Sequence, residues 1–366
     1  MTADPPRFAV TTSRQFASWL SATGGSLAVT TYQSGKILLF GTKPTGELAI
    51  FERTLDRPMG LAVSGPRLAV ATLTQIVTFV DAMADDPPPA RAAQPGGGQP
   101  GGAQSFDAAY IPQVSHFTGD LDAHDLAFDA QDRLLFANTL FSCLSRTSDT
   151  RSFTAIWKPR FVSRLAAEDR CHLNGLAMRD GRPAYVTAVS TMDVTDGWRE
   201  HRRDGGVVVD VASGEIAGAG LSMPHSPRWH DGRLYVLNSG AGEFGTVDLS
   251  SGRFEPIAFL PGYGRGLAFA GPRHAVVGLS EPRENRTFAG LALQERLERE
   301  RVSPRCGLMV VDLVSGDVAH WLRVEGVVRE LYDVAALPGR RNPSLIGFRT
   351  DEIRRVLSFD MEAGVS

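Results

Sequence analysis

One five-residue pattern recurs along this chain of 366 residues and constrains its fold more than any other feature. The copies are Met59-Gly-Leu-Ala-Val, His124-Asp-Leu-Ala-Phe, Asn174-Gly-Leu-Ala-Met, His225-Ser-Pro-Arg-Trp, Arg265-Gly-Leu-Ala-Phe and Tyr332-Asp-Val-Ala-Ala. Their first residues are 65, 50, 51, 40 and 67 positions apart, and both long gaps contain insertions, near 84–105 and 281–305. Without the insertions the period is about 40 to 50 residues, the length of one four-stranded propeller blade. The sequence therefore predicts an all-β protein with a β-propeller fold.

The number of blades and their closure follow from counting strand pairs. Pairs begin near residues 27, 68, 134, 184, 234, 275 and 345, which predicts seven blades, while the six clear pentapeptides keep six blades possible. The ring has to close because an exposed sheet edge invites pairing with other chains. We expect the strand Phe8–Thr12 to close it by supplying the fourth strand of the blade that contains the C-terminal residues 355–359. Residues 1–366 are predicted to form a single propeller domain.

Three segments interrupt the repeat. Residues 13–22 begin with a potential Ser cap and space their apolar residues as a helix face would, although a divergent inner strand would also fit. Residues 85–105 are rich in Pro, Gly and Ala, which predicts a disordered loop inside the domain. A further short helix is predicted from about Thr287 to Arg301.

The composition argues against several classes of partner. The formal net charge is −3 and 22% of the residues are charged, which gives no basis for binding nucleic acid or an anionic membrane surface. The N-terminal residues lack a basic region followed by an apolar run, and no apolar stretch approaches the roughly 18 residues of a membrane helix. We therefore expect a cytoplasmic protein in which Cys143, Cys171 and Cys306 are reduced. Nothing in the sequence indicates an oligomeric state.

Polar residues open most of the repeats. The inner strand of a propeller blade begins at the central channel, so the first residue of each pentapeptide should face the axis. Those residues are Met59, His124, Asn174, His225, Arg265 and Tyr332, and His172 stands two positions before Asn174. Polar groups from several blades should therefore converge on one spot.

Four of these side chains, His124, His172, Asn174 and His225, form a candidate metal site. Three neutral imidazoles with one open position are typical of a catalytic divalent transition metal: zinc, iron, copper or manganese. The competing interpretation is that the four side chains form hydrogen bonds across a wet channel.

Other polar residues near the channel face have candidate roles. Glu243 lies in a glycine-containing loop and is a candidate general base, although the glycines also suit a tight bend. Arg265 is a candidate catalytic residue that would hold the charge of an acidic substrate. The candidate substrate-binding residues are Arg283, Arg286, Tyr332 and Trp198. Ion pairs with Glu281 and Glu284 would equally explain the two insertion arginines, and core packing would explain the tryptophan.

The run HLNGLAM at 172–178 resembles the Asn-Gly-Leu signature of the gluconolactonase and senescence-marker type of metal-dependent propellers. In that family a carboxylate, two Asn and an Asp hold a divalent cation. The resemblance implies that Asn174 matches an Asn ligand, while His124, His225 and Met59 replace the other Asn, the Asp and the carboxylate. Such replacements shift the preferred ion from calcium or magnesium toward the transition metals.

Longer segments are similar to an uncharacterised bacterial family of conserved hypothetical proteins. The matching segments are Thr31-Tyr-Gln-Ser-Gly-Lys, Glu168-Asp-Arg-Cys-His-Leu-Asn-Gly-Leu-Ala, Met223-Pro-His-Ser-Pro-Arg and Ser280-Glu-Pro-Arg-Glu-Asn-Arg-Thr-Phe. This resemblance implies a propeller-like fold and brings no known activity.

The sequence thus favours a metal-dependent enzyme, hydrolytic or oxidative, that acts on a small anionic molecule at the central channel. The alternative is a non-catalytic propeller that binds a ligand or a partner protein through the channel face and the insertions at 190–204 and 281–303.

Overall fold

Strands arranged in a ring of sheets make up most of the protein. The computed structural model describes residues 8–84, 106–282 and 289–359. The inner strands of successive sheets contact one another in a closed ring, in the order Val334–Leu337, Leu61–Ser64, Ala123–Phe128, Leu173–Arg179, Pro224–His230 and Tyr263–Ala270. The predicted β-propeller is confirmed, and the described residues form six blades, the smaller of the two numbers expected.

Each blade is an antiparallel sheet, and we number the blades I to VI in the order of those inner strands. From the inner strand outward, blade I continues with Ser26–Thr30, Lys36–Thr42 and Leu48–Thr54, and blade II with Arg67–Ala71, Gln75–Asp81 and Ala108–Phe117. Blade III continues with Leu134–Asn138, Cys143–Arg146 and Thr154–Trp157, and blade IV with Arg182–Ala188, Gly206–Asp210 and Ile216–Leu221. Blade V continues with Arg233–Asn238, Glu243–Asp248 and Arg253–Phe259, and blade VI with His274–Ser280, Gly307–Asp312 and Val318–Glu325.

The two ends of the repeat meet in blade I. Its inner strand Val334–Leu337 comes from the C-terminal part of the chain and pairs antiparallel with Ser26–Thr30 from the N-terminal part. The N-terminal strand Ala9–Thr12 pairs with Val318–Glu325 at the outer edge of blade VI. It is therefore a fifth strand in the blade next to the closure, and not the fourth strand that the sequence analysis expected.

The seventh predicted strand pair, near residue 345, is an addition to an existing blade. Pro343–Leu345 runs parallel to the start of Ala108–Phe117 and extends blade II outward. Residues 355–359, where the sequence suggested a last strand, form none. A three-residue strand on an outer edge and a blade of its own look alike in local sequence, which explains the difference.

Two α-helices lie in the described residues, Phe16–Ala22 and Ala292–Glu300, with 3₁₀ turns at Tyr32–Ser34, Gly197–His201, Ser239–Ala241 and Asp351–Arg354. Phe16 and Leu20 are buried between blades I and VI, so residues 13–22 contain a helix and not a strand. Leu293 and Leu297 anchor the second helix. None of the helices in 8–84, 106–282 and 289–359 is long and apolar enough to cross a membrane. The predicted loop at 85–105 and the predicted helix start at 287–288 fall outside the described residues.

The second position of the pentapeptide alternates around the ring between glycine and a polar residue. Blades III, V and I carry Asp125, Ser226 and Asp333, and each of these side chains accepts a hydrogen bond from a backbone N–H of the next blade. The distances are 2.9 Å for Leu176 N–H to Asp125, 3.0 Å for Gly266 N–H to Ser226 and 2.8 Å for Leu61 N–H to Asp333. These bonds satisfy buried backbone donors and join neighbouring blades in pairs.

Blades II, IV and VI carry glycine at the same position, because the next inner strand approaches too closely for a side chain. A Cβ on Gly175 would lie 2.2 Å from Cδ of Pro227, and one on Gly266 would lie 2.5 Å from the backbone nitrogen of Val334. Gly266 also has a φ of 80°, which favours glycine. The ring therefore closes through alternate hydrogen-bonded and close-packed junctions.

A single arginine neutralises the two buried carboxylates of this ring. The Arg228 guanidinium contacts both oxygens of Asp125, at 2.7 and 3.0 Å, and lies 3.6 Å from Asp333. Asp125 and Asp333 are each only 2% exposed. One cation thus pairs with two carboxylates. Burial raises the pKa of Asp333 to about 7, while the charge of Arg228 opposes this shift and that of Asp125 reinforces it.

We expect Asp333→Asn to change how stability depends on pH. The native pKa of Asp333 lies above its unfolded value, so its contribution is fully present below about pH 4 and is lost as pH rises toward 7. Asn is neutral at every pH. The unfolding free energy of the variant, relative to that of the wild type, should therefore increase by roughly 1 kcal/mol per pH unit across this window. Urea denaturation at pH 4.5, 6 and 7.5 measures the difference, and parallel curves for the two proteins would contradict the assignment.

Candidate active site at the channel mouth

Three histidines from consecutive blades meet where the inner strands begin. His124 opens the inner strand of blade III, His172 precedes that of blade IV, and His225 lies in that of blade V. The ring centroids of His124 and His172 are 4.9 Å apart, and those of His124 and His225 are 6.1 Å apart. All three side chains are at least 90% buried. The structure therefore brings together the imidazoles that the repeat placed on a shared axis.

The hydrogen bonds of His124 determine its tautomer. Its Nδ1 lies 2.9 Å from the carbonyl oxygen of Asp122 and 2.7 Å from Oγ1 of Thr139. Thr139 donates its own proton to the carbonyl oxygen of Leu173 at 2.6 Å, so both partners of Nδ1 act as acceptors. Nδ1 must carry the proton, which leaves Nε2 of His124 as a bare lone pair.

His172 is held in the same way by a carboxylate. Its Nδ1 lies 2.8 Å from Oδ2 of Asp169, and the same oxygen accepts a hydrogen bond from the Trp198 indole N–H at 2.8 Å. The Trp198 ring stacks on His172 with centroids 4.2 Å apart. Trp198 is 2% exposed, so the structure places it behind the imidazole, where it fixes the ring plane. Nε2 of His172 takes no part in these contacts.

Several buried polar atoms at the site have no hydrogen-bond partner. Oδ1 of Asn174 accepts a hydrogen bond from Thr187 at 2.8 Å, while its Nδ2 is unpaired. Nε2 of His225 and the hydroxyl of Tyr332 are unpaired as well. Leaving such a group unsatisfied costs about 1–3 kcal/mol. All three atoms belong to residues that stand first in a pentapeptide.

A cationic and aromatic group adjoins the histidines, with the Tyr332 ring 5.4 Å from that of His124. The Arg265 guanidinium lies 4.8 Å from the ring centroid of Tyr332 and contacts Glu330 at 3.2 Å. Tyr32 stacks on the other side of Tyr332 with centroids 5.2 Å apart. Arg265 is 7% exposed and its Nε is buried without a partner, so part of its hydrogen-bonding capacity is unused.

The sequence analysis did not assign Glu330 to the site, although Glu330 shares a signal with Tyr263 and Asp122. Each stands two positions before the first residue of a pentapeptide, as His172 does. The contacts of these residues place them at the site: Asp122 and Glu330 bind His124 and Arg265, and the Tyr263 ring lies 5.7 Å from that of His225. Applying the two-residue spacing between His172 and Asn174 to every repeat would have identified all of these residues.

The electrostatics of the site keep His124 and His225 neutral. Burial, reinforced by the charges of His172 and Arg265, lowers the pKa of His124 to about 4, although Asp122 opposes the shift. Burial and then Arg265 lower the pKa of His225 well below its usual value. A neutral imidazole is the form that binds a metal ion or accepts a proton.

Backbone strain concentrates at the same place. Four non-glycine residues here have a left-handed backbone: Tyr32 (φ 49°), Asp122 (52°), Asp169 (42°) and His172 (53°). Such conformations cost about 1–3 kcal/mol each and persist where the surrounding structure imposes them, commonly at functional sites.

The remaining predicted site residues lie apart from the histidines or outside the described residues. The Glu243 carboxylate accepts a hydrogen bond from Asn238 at 3.0 Å and lies 3.5 Å from Arg296 of the second helix. It is therefore engaged in anchoring that helix. Arg283 and Arg286 belong to residues 283–288, outside the described part of the chain.

The donor chemistry of the mouth fits a divalent transition metal, but the side chains are not drawn together around a point. Tethering Nδ1 to a carboxylate or carbonyl, with Nε2 left free, is the usual arrangement of metal-ligating histidines. Within residues 8–84, 106–282 and 289–359, however, no group of three or more His, Cys, Asp or Glu side chains has a metal-binding arrangement. Binding a cation would require the imidazoles to move toward one another.

Fold and site define the class as a six-bladed β-propeller with a polar, histidine-lined channel mouth. The model of a family described as a domain of unknown function (DUF4915) matches residues 14–346, so the chain belongs to that family. The expected membership of an uncharacterised propeller family is confirmed. No curated protein matches the chain.

Solved structures with the same architecture are distant in sequence. A chain of a nidogen/laminin complex is 10% identical with a TM-score of 0.51, over 86% of this chain and 99% of that one. A gluconolactonase from Xanthomonas campestris is 15% identical with a TM-score of 0.43, over 88% and 86%. A virginiamycin B lyase from Staphylococcus aureus is 12% identical with a TM-score of 0.40, over 75% and 96%. Similarity at these identities extends to the fold alone.

His124 should remain neutral, with its proton on Nδ1, from pH 8 down to about pH 5. Its native pKa of about 4 lies below the unfolded value, so the stability it contributes is lost as pH falls from 6.5 toward 4. Nitrogen-15 NMR of chelator-treated protein with labelled histidine reports both the charge and the tautomer. Titration of His124 near pH 6.5, or a proton on Nε2, would contradict the hydrogen-bond assignment.

Proposed function

We propose that the channel mouth is the active site of a metal-dependent enzyme that acts on a small anionic molecule. The observation that carries the proposal is the pair of tethered imidazoles, His124 and His172, whose Nδ1 protons are committed to Asp122, Thr139 and Asp169. Because Nδ1 is occupied in both rings, Nε2 is the nitrogen that each ring has left to bind a ligand. A divalent cation matches that electronic arrangement.

The three histidines would hold the ion, and Asn174 would act beside it. Because Oδ1 of Asn174 already accepts the Thr187 proton, its unpaired Nδ2 is a donor suited to a substrate oxygen. Asp169 is a positioning residue, since it orients His172 and increases its basicity. A bound divalent ion would lower the pKa of a coordinated water and polarise a carbonyl or phosphoryl group of the substrate.

Arg265 would bind the negative charge of the substrate. Its guanidinium lies between Tyr263 and Tyr332, with ring centroids at 5.4 and 4.8 Å, and its Nε is available. Glu330 holds one end of the guanidinium, which orients the other for a carboxylate or phosphate. The unpaired hydroxyl of Tyr332 is a further donor for the same group.

One observation favours a second candidate, a propeller that binds a small anionic ligand without a metal. The imidazoles as they stand are not gathered around a point. In that case the Nε2 atoms of His124 and His172 would accept hydrogen bonds from ligand hydroxyl groups.

Metal analysis separates the two candidates. Purified wild-type protein should contain about one equivalent of zinc, iron, copper or manganese, as expected for a single site. His124→Ala and His225→Ala should each lose most of it, whereas the exposed control His201→Ala should retain it. Circular dichroism melts establish that the variants are folded. Metal-free wild-type protein that also fails to take up these ions on reconstitution would reject the metal-dependent enzyme and leave the ligand-binding propeller.

Asp169→Asn should weaken metal binding by about 10- to 100-fold, because the amide cannot hold the Nδ1–H of His172 as strongly as a carboxylate does. Competition with a chromophoric chelator measures the affinity. Asp196→Asn is the matched control, since Asp196 pairs with Arg199 on the surface. Equal affinities for Asp169→Asn and wild type would show that His172 is not a ligand.

A further inference from the structure

A cavity lies at the edge of blade VI, and none of the three histidines lines it. It has a volume of about 390 Å³ and is lined by residues 301–306, by Glu281 and by the end of the strand Val318–Glu325. We call it the arginine pocket, after Arg301, Arg305 and Arg323. Its volume is in the range of sites for small molecules.

The three arginines of the pocket have no carboxylate partner within the described residues. Arg323 is half-buried, and most other half-buried or buried arginines in the described residues do pair with a carboxylate, for example Arg170 with Glu168 and Asp193. Of the two glutamates at the pocket, Glu281 lies 3.8 Å from Arg329, which stands outside the lining. Two carboxylates thus line the pocket with three guanidinium groups, so positive charge is in excess.

Arg323 is held in place with unused donors. Its guanidinium carbon lies 4.8 Å above the ring centroid of Trp321, and its Nε is buried without a hydrogen-bond partner. The strand that carries Arg323 packs closely against the neighbouring strand. A Cβ on Gly307, which lies opposite Arg323, would be 2.0 Å from the carbonyl oxygen of Leu322. A stacked, half-buried guanidinium has little freedom to find a partner elsewhere.

The neighbouring guanidinium groups repel each other. Burial and the charge of Arg323 lower the pKa of Arg305. The backbone N–H of Arg305 is bonded to the carbonyl oxygen of Pro261 at 2.9 Å, and that of Val302 to Leu297 at 3.0 Å, so the segment that carries the arginines is fixed. Like charges fixed side by side are stabilised by an anion between them.

We propose that the arginine pocket binds the phosphate group of a small molecule. Guanidinium groups pair with phosphate oxygens in bidentate fashion, and three of them can surround a tetrahedral anion. The pocket is distinct from the channel mouth, so it would bind an effector or a second ligand whether or not the histidines hold a metal.

Titration calorimetry with inorganic pyrophosphate at constant ionic strength tests the site. Wild-type protein should bind about one equivalent, and Arg323→Gln should weaken binding about tenfold or more, in keeping with the loss of a charge-assisted pair. Arg305 is exposed, so Arg305→Gln should also weaken binding and should leave folding unaffected. Glu325→Gln should tighten binding, because it removes a negative charge.

Two controls make the result decisive. Arg160→Gln removes an exposed arginine paired with Glu215 elsewhere and should leave the affinity unchanged, as should His225→Ala at the channel mouth. The proposal is overturned if wild type shows no saturable binding, or if Arg323→Gln and Arg305→Gln bind as wild type does. Loss of binding in His225→Ala alone would place the anion at the channel mouth and likewise overturn it.

Discussion

The structure depends on how six inner strands approach one axis without leaving polar backbone groups unsatisfied. At every second junction a backbone N–H of the next blade donates a hydrogen bond to a side-chain oxygen, which belongs to Asp125, Ser226 or Asp333. Glycine allows direct backbone approach at the junctions between them. Because the carboxylates are buried, a cation has to accompany them, and Arg228 supplies it. This arrangement fixes where each inner strand starts, and therefore where the residue just before it points.

The channel mouth follows directly from that placement. The first residues of the pentapeptides and the residues two positions earlier form two layers around the axis, so polar side chains from distant parts of the sequence become neighbours. Burial keeps His124 neutral by lowering its pKa to about 4, and Arg265 stacks on Tyr332 with a buried Nε that has no hydrogen-bond partner. The support behind them, such as Asp169 and Trp198 behind His172, comes from loops between blades. Rigid strands thus place the site, and loop residues orient it.

Much of the fold and part of the site could be predicted from sequence because the repeat is local. The pentapeptide revealed the propeller and put His124, Asn174 and His225 on one axis. It could not reveal that Pro343–Leu345 joins blade II, since pairing with a distant strand leaves no local signal. Two other contacts likewise depend on how loops and a helix pack across blades: the hydrogen bond between Thr139 and His124, and the ion pair between Glu243 and Arg296. The alternation of glycine and polar residues was visible in the sequence, but its meaning required the geometry of the junctions.

The inner strand of blade I comes late in the sequence, so the ring cannot close until most of the chain has been synthesised. Its inner strand, Val334–Leu337, is synthesised some three hundred residues after its partner Ser26–Thr30. Glu330 and Tyr332 arrive on the same late segment, so a nascent chain on the ribosome holds an incomplete circle and an unfinished mouth. Any affinity that depends on Tyr332 and Arg265 together can only develop after translation has passed this point.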